Sequence, residues 1–284
     1  MRVGFIGVGN MGGPMASNVL KAGFDLRVHD VRADVAAKLA AEGAEVGATP
    51  ADVAADADVV DIVVMDGAQV EAVTLGDAGV LSSARPGTVI AVHSTVHPST
   101  VRRVADAAAP RGVDVIDAPI SGGVVGATAG TLCVMVGGDA AAFERARPVF
   151  DACGTLVLHL GPLGAGLGAK LARNLIGYVS MLGAQEGVAL ADRAGVDHER
   201  MLQICEHTGV LSWQMRELLN VRGPHPTYGD DLGPLVELSA KDMRAALALA
   251  ADVGIELPAG QLTLDRIRYT VVPPDAPTNE GGHG

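Results

Sequence analysis

Three short segments of the chain carry residues whose type and spacing suit chemistry. Lys170 and Asn174 stand four positions apart in a stretch where Leu167, Leu171, Leu175, Val179 and Leu182 step at three and four. On a helix the two polar side chains share one face, a turn apart. An ammonium that exchanges a proton with a substrate hydroxyl needs a lowered pKa, which partial burial or cationic neighbours supply. An amide can hold the same hydroxyl without carrying charge. Taken alone, a solvated lysine beside an unrelated asparagine is the simpler account of this pair. The second segment, Ser121-Gly122-Gly123, follows a short strand and a proline, and its glycines free backbone N–H groups to surround an anion; a plain loop is the alternative. The third is Gly7-Val8-Gly9-Asn10-Met11-Gly12, a GxGxxG with an apolar run before it and a helical pattern after it through Leu20.

The spacing of this third segment points to a dinucleotide. The first glycine permits a tight turn, the second lets backbone approach a pyrophosphate, and the third lets helix and strand pack closely. The phosphates then meet the open N–H groups and positive dipole end of a helix. Asp30 ends the next apolar run, 18 residues beyond Gly12. A carboxylate there accepts both hydroxyls of an adenosine ribose and repels a 2′-phosphate, so NAD is favoured over NADP. Arg32 is read as a solvated surface charge. Other constellations are weaker: Pro98 argues against a helix that would present His93 and His97 to a metal, Cys205-Glu206-His207 has no second half, and neither GxSxG nor HExxH occurs.

Elements that position these residues follow from periodicity. Strands are predicted at Arg2–Gly7, Leu26–Asp30, Val59–Met65, Thr88–His93, Asp114–Asp117, Leu132–Val136 and Thr155–His159. Helical patterns at Ala33–Glu42, Ala68–Leu75, Thr100–Ala109 and Ala140–Phe150 lie between them. This alternation implies βαβ units and a mainly parallel sheet. After Gly161-Pro162 one long helix is predicted to about Arg193, stopped by Gly195, with further helices at Glu199–Glu206, around Trp213–Leu219 and at Leu238–Val253. Val272–Gly284, rich in Pro and Gly, reads as a tail. The predicted fold class is an α/β Rossmann-type dinucleotide-binding domain, residues 1–162, followed by an all-α domain, residues 163–284, joined by a long helix.

Composition bounds the rest. With 21 Lys and Arg against 33 Asp and Glu, the net charge of -12 gives no general attraction to nucleic acid or anionic lipid. No apolar run reaches the ~18–20 residues of a membrane span, and the first residues have no apolar core suited to a secretion signal, so a cytoplasmic protein is expected. Cys133, Cys153 and Cys205 are odd in number and widely separated, and read as free thiols.

Five motifs in order give the chain a family resemblance. They are Gly4-Phe-Ile-Gly-Val-Gly-Asn-Met-Gly-Gly-Pro-Met-Ala-Ser-Asn-Val-Leu-Lys-Ala-Gly23, His93-Ser94-Thr95, Asp117-Ala-Pro-Ile-Ser-Gly-Gly-Val-Val-Gly-Ala-Thr-Ala-Gly-Thr131, Gly164-Ala-Gly-Leu-Gly-Ala-Lys-Leu-Ala-Arg-Asn174 and Lys241-Asp242-Met243. With them the chain resembles the β-hydroxyacid dehydrogenases, over residues 1 to about 258. The resemblance implies Lys170 as general acid and base, Asn174 as its orienting partner, and Ser121, Gly122 and Gly123 as holders of a substrate carboxylate. It places Thr95 near the nicotinamide ribose, Val64 and Met65 at the nicotinamide-side strand end, and Lys241 on the cofactor, beside Gly7, Gly9, Asn10, Met11, Gly12 and Asp30. It also implies a small carboxylate-bearing substrate and a homodimer or homotetramer. Four departures stand out: Arg173 replaces the usual first Asn, Val64-Met65 the usual Leu-Pro, and His93 an acidic residue, while Asp230–Leu235 replaces a Phe-containing approach to Lys241. Imine reductases of the same scaffold generally lack the lysine, and a non-catalytic dinucleotide-binding module would keep only the glycine loop.

Overall fold

The computed structural model describes residues 1–212, 215, 219 and 231–272. It divides into two compact units, Met1–Lys170 and Leu171 onward. In the first unit the elements run β1 (Arg2–Ile6), α1 (Gly12–Lys21), β2 (Asp25–His29), α2 (Ala33–Glu42), β3 (Glu45–Val46), α3 (Pro50–Ala54), β4 (Val59–Ile62), α4 (Gly67–Leu75), β5 (Val89–Val92), α5 (Pro98–Ala108), β6 (Asp114–Asp117), β7 (Ile120–Ser121), α6 (Gly123–Ala129), β8 (Leu132–Gly137), α7 (Ala140–Asp151) and β9 (Gly154–Gly161). The sheet order is β3-β2-β1-β4-β5-β6-β8-β7, with β9 paired to β8. Pairing is parallel except where β8 meets β6 and β7.

Both sheet faces are covered, which is why the central strands read as largely apolar runs, broken in β4 by the buried Asp61. Val3, Phe5 and Val28 pack into one core, Ile6, Val60, Ile62, Ile90 and Val92 into the other. Burying a side chain of this size stabilises the fold by about 1.5–3 kcal/mol. The connection reverses between β1 and β4, the switch point where open α/β sheets bind ligands at their strand C-termini. The glycine loop follows β1, Val64-Met65 follow β4, and Ser94-Thr95 follow β5.

Helix α8 (Ala165–Arg193) begins in the first unit and continues into the second. Its 29 residues span ~43 Å at 1.5 Å each. Gly195, at φ +83°, allows the left-handed turn that stops it. Among the described residues the second unit holds helices only: α9 (His198–His207), α10 (Gly233–Val253), α11 (Pro258–Asp265) and α12 (Ile267–Val271). Met181, Val188, Leu202, Cys205, Leu211, Met215 and Leu219 form its core cluster. The expected helix around Trp213 lies largely outside the described residues, as does the expected tail beyond Val272.

Candidate active site

The glycine loop has the geometry its spacing predicts. Gly7 sits at φ +86° and donates to the His29 carbonyl at 2.9 Å. A Cβ on Gly7 would lie 2.4 Å from the Val63 oxygen, and one on Gly12 would lie 2.0 Å from the Gly7 oxygen, so neither position tolerates a side chain. Helix α1 has no side-chain N-cap. The N–H groups of Gly9, Asn10 and Met11 meet no acceptor among the described residues. Consecutive open donors at a helix start, on backbone held close by obligatory glycines, fit a pyrophosphate.

Asp30, just beyond β2, is tied into this loop. One carboxylate oxygen accepts the Val8 N–H and the other the Arg32 N–H, each at 2.9 Å. Each oxygen keeps capacity for a ribose hydroxyl. Arg32 is an exposed charge whose Nε lies 3.5 Å from Asp30, and its Nη2 would be 2.8 Å from a Cβ on Gly9.

The tips of β4 and β5 are joined by Ser94, whose Oγ accepts the Val64 N–H at 3.0 Å and donates to the Val64 carbonyl at 2.7 Å. Met65 is exposed, its N–H bound to Gln69, and Thr95 is half-buried next in sequence to Ser94. His93 is sequestered below them against Asp61, and His97 caps α5 by accepting from Ser99 N–H. Ser121 ends β7, while Gly122 and Gly123, at φ +138° and +62°, turn the chain into α6. Their N–H groups also meet no acceptor among the described residues.

Lys170 is half-buried on α8, and the start of that helix is fixed by a residue that sequence reasoning quoted but gave no role. Asp117, at the end of β6, accepts the Gly164 and Leu167 N–H groups on its two oxygens, both at 2.6 Å. Two absent side chains make room: a Cβ on Gly137 would come 2.6 Å from Asp117 Oδ1, and one on Gly166 2.9 Å from Oδ2. Burial pushes the Asp117 carboxyl above the usual carboxylate range, and the N–H groups of Gly164, Leu167 and Gly166 pull it part of the way back.

Asn174 is buried on α8 and belongs to the second unit. Its Nδ2 donates to Asp242 at 2.8 Å, and its Oδ1 accepts from Arg173 at 3.2 Å. Lys241 lies 3.0 Å from the other Asp242 oxygen. Asn174 and Lys241 therefore share one buried carboxylate, a link that the Lys241-Asp242-Met243 motif hints at but does not reveal.

A glycine-rich helix start at the switch point of a doubly wound sheet defines a dinucleotide-binding architecture. Residues 2–161 match the family model described as the NAD binding domain of 6-phosphogluconate dehydrogenase, and residues 164–271 match that described as NAD-binding of NADP-dependent 3-hydroxyisobutyrate dehydrogenase. An NAD-dependent L-serine dehydrogenase of Pseudomonas aeruginosa is 38% identical, covering 94% of this chain and 91% of its own. A 3-hydroxyisobutyrate dehydrogenase of the same organism is 37% identical, covering 92% and 89%. The solved structure of Mycobacterium tuberculosis 3-hydroxyisobutyrate dehydrogenase with L-serine superposes with a TM-score of 0.82 at 31% identity, covering 96% of both chains. The chain belongs to the β-hydroxyacid dehydrogenase family, oxidoreductases acting on CH–OH groups, and carries that family's NAD-binding domain. No helix among the described residues is long and apolar enough to cross a membrane.

Proposed function

We propose that this chain is an NAD-dependent dehydrogenase that interconverts a short 3-hydroxyacid with its semialdehyde or ketoacid, 3-hydroxyisobutyrate first and L-serine or tartronate semialdehyde next. The observation that carries the reading is Lys170 one turn before a buried Asn174 on α8, with the helix start held by Asp117 and the amide by Asp242. In the oxidative direction the Lys170 amine takes the hydroxyl proton while the Asn174 amide fixes the oxygen that bears it. The Ser121 hydroxyl and the open N–H groups of Gly122 and Gly123 hold the carboxylate, so that the reacting carbon is presented in one orientation. NAD, when bound, supplies the acceptor for the hydride released from that carbon. In reduction the Lys170 ammonium returns the proton.

Gly7, Gly9, Asn10, Met11 and Gly12 cradle the pyrophosphate in this reading, Asp30 takes the adenosine ribose, and Val64, Met65, Thr95 and Lys241 serve the nicotinamide side. Residues 1–162 act as the NAD domain and 163–284 as the helical substrate and dimerisation domain of a cytoplasmic homodimer or homotetramer. NAD is preferred to NADP because Asp30 repels a 2′-phosphate and occupies the adjacent Arg32; tighter use of NADP overturns that role.

The deciding experiment is NAD reduction over a panel of short hydroxyacids, run beside Lys170→Ala. Turnover in the variant is expected to fall by roughly two to four orders of magnitude with NAD affinity retained, the scale of a general acid–base residue. Near-normal turnover would remove Lys170 from the mechanism.

A further inference from the structure

Beneath the Ser94 tie lies a pair of ionisable side chains for which the proposed chemistry has no use. Asp61, on β4, and His93, just past β5, are both buried, with side chains 1% exposed. His93 Nε2 is 2.7 Å from Asp61 Oδ1, and His93 Nδ1 is 2.7 Å from the Ala118 carbonyl just past β6. The Phe150 ring stands edge-on to the imidazole. Asp61 Oδ2 has no hydrogen-bond partner among the described residues. Around the pair, Cys153 donates its Sγ–H to the Met15 carbonyl and is pushed up by burial and by Asp61, and Asp117 turns its carboxylate to α8.

A carbonyl oxygen only accepts, so the contact to Ala118 requires a proton on Nδ1. The short contact on the other side then requires a second proton between Nε2 and Oδ1, since an imidazole lone pair facing an ionised carboxylate at that distance repels it. Whether that proton sits on nitrogen or on oxygen, the pair as a whole is neutral, which is the state burial favours. Burial also holds the Asp61 carboxyl above its ordinary range, against the opposing pull of His93.

We propose that Asp61 and His93 form a proton-loaded brace that ties the C-terminal ends of β4, β5 and β6 together and so positions the Val64 and Thr95 segments that serve the cofactor. Neither residue is catalytic, because neither reaches solvent. The cofactor roles of Val64 and Thr95 rest on the function proposed above; the proton count does not. In the unfolded chain above about pH 6.5 the aspartate is ionised and the histidine neutral, so no second proton is held. Folding then takes up one proton at this pair, and its stabilisation declines as pH rises above about 6.5. Below about pH 4 the unfolded aspartate also binds a proton, and the stabilisation declines on that side as well.

Asp61→Asn tests the brace: its Nδ2–H donates to the Nε2 lone pair, preserving the bridge without the extra proton. Urea unfolding of the full chain at pH 7 to 9 should show the wild-type unfolding constant rising relative to Asp61→Asn by up to tenfold per pH unit, the slope of one linked proton. Nitrogen-15 NMR of the histidine rings should show His93 Nδ1 protonated in both proteins at pH 8, with assignment by its absence in His93→Leu/Asp61→Leu. That apolar double variant avoids an orphaned charge but leaves the strand ends untied. Calorimetry should find its NAD dissociation constant raised about tenfold, on the scale of a small misplacement of binding groups, while Asp61→Asn stays near wild type at pH 7. Parallel stability profiles for wild type and Asp61→Asn, an unprotonated Nδ1, or wild-type NAD affinity in the double variant would each overturn the brace. None of these readouts needs a substrate, so a chain with no hydroxyacid turnover that passes them refutes the proposed reaction and leaves the brace standing.

Discussion

Two buried carboxylates serve helix α8, one in each unit, and they are held in opposite ways. Asp117 is met by backbone, the N–H groups of Gly164 and Leu167, in a space that Gly137 and Gly166 leave open. Asp242 is met by side chains, the Asn174 amide and the Lys241 ammonium. Backbone donors come with the fold and cannot be exchanged by mutation, so Asp117 fixes where the helix starts, and with it the axial position of Lys170. Side-chain donors can be exchanged singly, so Asp242 tunes one amide without moving a helix. Of the two, the carboxylate in the first unit acts on architecture and the one in the second on a single functional group.

The largest effect that separates them is expected from Asp117→Ala. The buried Leu167 N–H and the part-buried Gly164 N–H lose their acceptor, and unsatisfied donors of this kind cost about 1–3 kcal/mol each, so a total loss of about 2–4 kcal/mol is expected once the relief of desolvating a carboxylate is deducted. The urea midpoint should fall and turnover with it, because the helix carrying Lys170 frays from its first turn. A variant with wild-type stability would show that α8 needs no anchor.

Asp242→Ala should show the reverse balance. Asn174 loses its acceptor and Lys241 its carboxylate, while every backbone bond remains. A drop in kcat of about tenfold to a hundredfold is expected, with a stability loss of about 1 kcal/mol, since misorienting a positioning group costs rate before it costs structure. Asp242→Asn keeps an acceptor for Asn174 and removes only the charge, so its kcat should recover while KM for NAD stays raised through Lys241. Equal kcat losses in the two variants would place the role in the charge instead of the orientation.

How far such contacts are legible in sequence differs between the same two regions. The flanking helices Ala33–Glu42 and Ala140–Asp151 stand in the residues because one buried face imposes a period on them, and the central strands because burial on two sheet faces makes them short apolar runs. Ends shifted by a residue or more: the run to Met65 stops at Ile62, and Pro98 opens α5 two residues early, as proline at a first helical turn allows. Two-residue strands such as Glu45–Val46 and Ile120–Ser121 are too short to carry a period. Helix α3 left a usable signal, the Thr49–Asp52 capping box with Pro50, and α11 another in Pro258 at its start. At the site, the glycine loop and the Lys170–Asn174 spacing are local and therefore visible. The contacts of Asp117 span 47 and 50 residues and that of Asn174 with Asp242 spans 68, so the motifs mark the residues but only three dimensions supply the pairing. His93 stands out in the sequence only as a departure from family pattern and Asp61 carries no local motif, so their pairing across 32 residues emerges only in three dimensions.

The smallest expected effect sharpens the comparison through pH. Burial raises the folded-state pKa of Asp117 above the value near 3.9 of an unfolded aspartate, so between those two values the folded protein binds more proton than the unfolded one. Stability from this group is therefore highest at low pH, falls as pH rises from about 4, and levels off above the folded-state pKa. Asp117→Asn removes that titration, and because its amide nitrogen faces one of the two N–H donors it also loses one hydrogen bond, about 1 kcal/mol, at all pH values. Subtracting the variant's stability profile from that of the wild type should leave a curve that declines as pH rises from about 4 and is flat once pH exceeds the folded-state pKa. A difference that rises with pH would mean that the N–H groups of Gly164 and Leu167 outweigh burial, making Asp117 an anion site stabilised by the helix start instead of a carboxylate accepted there at a cost.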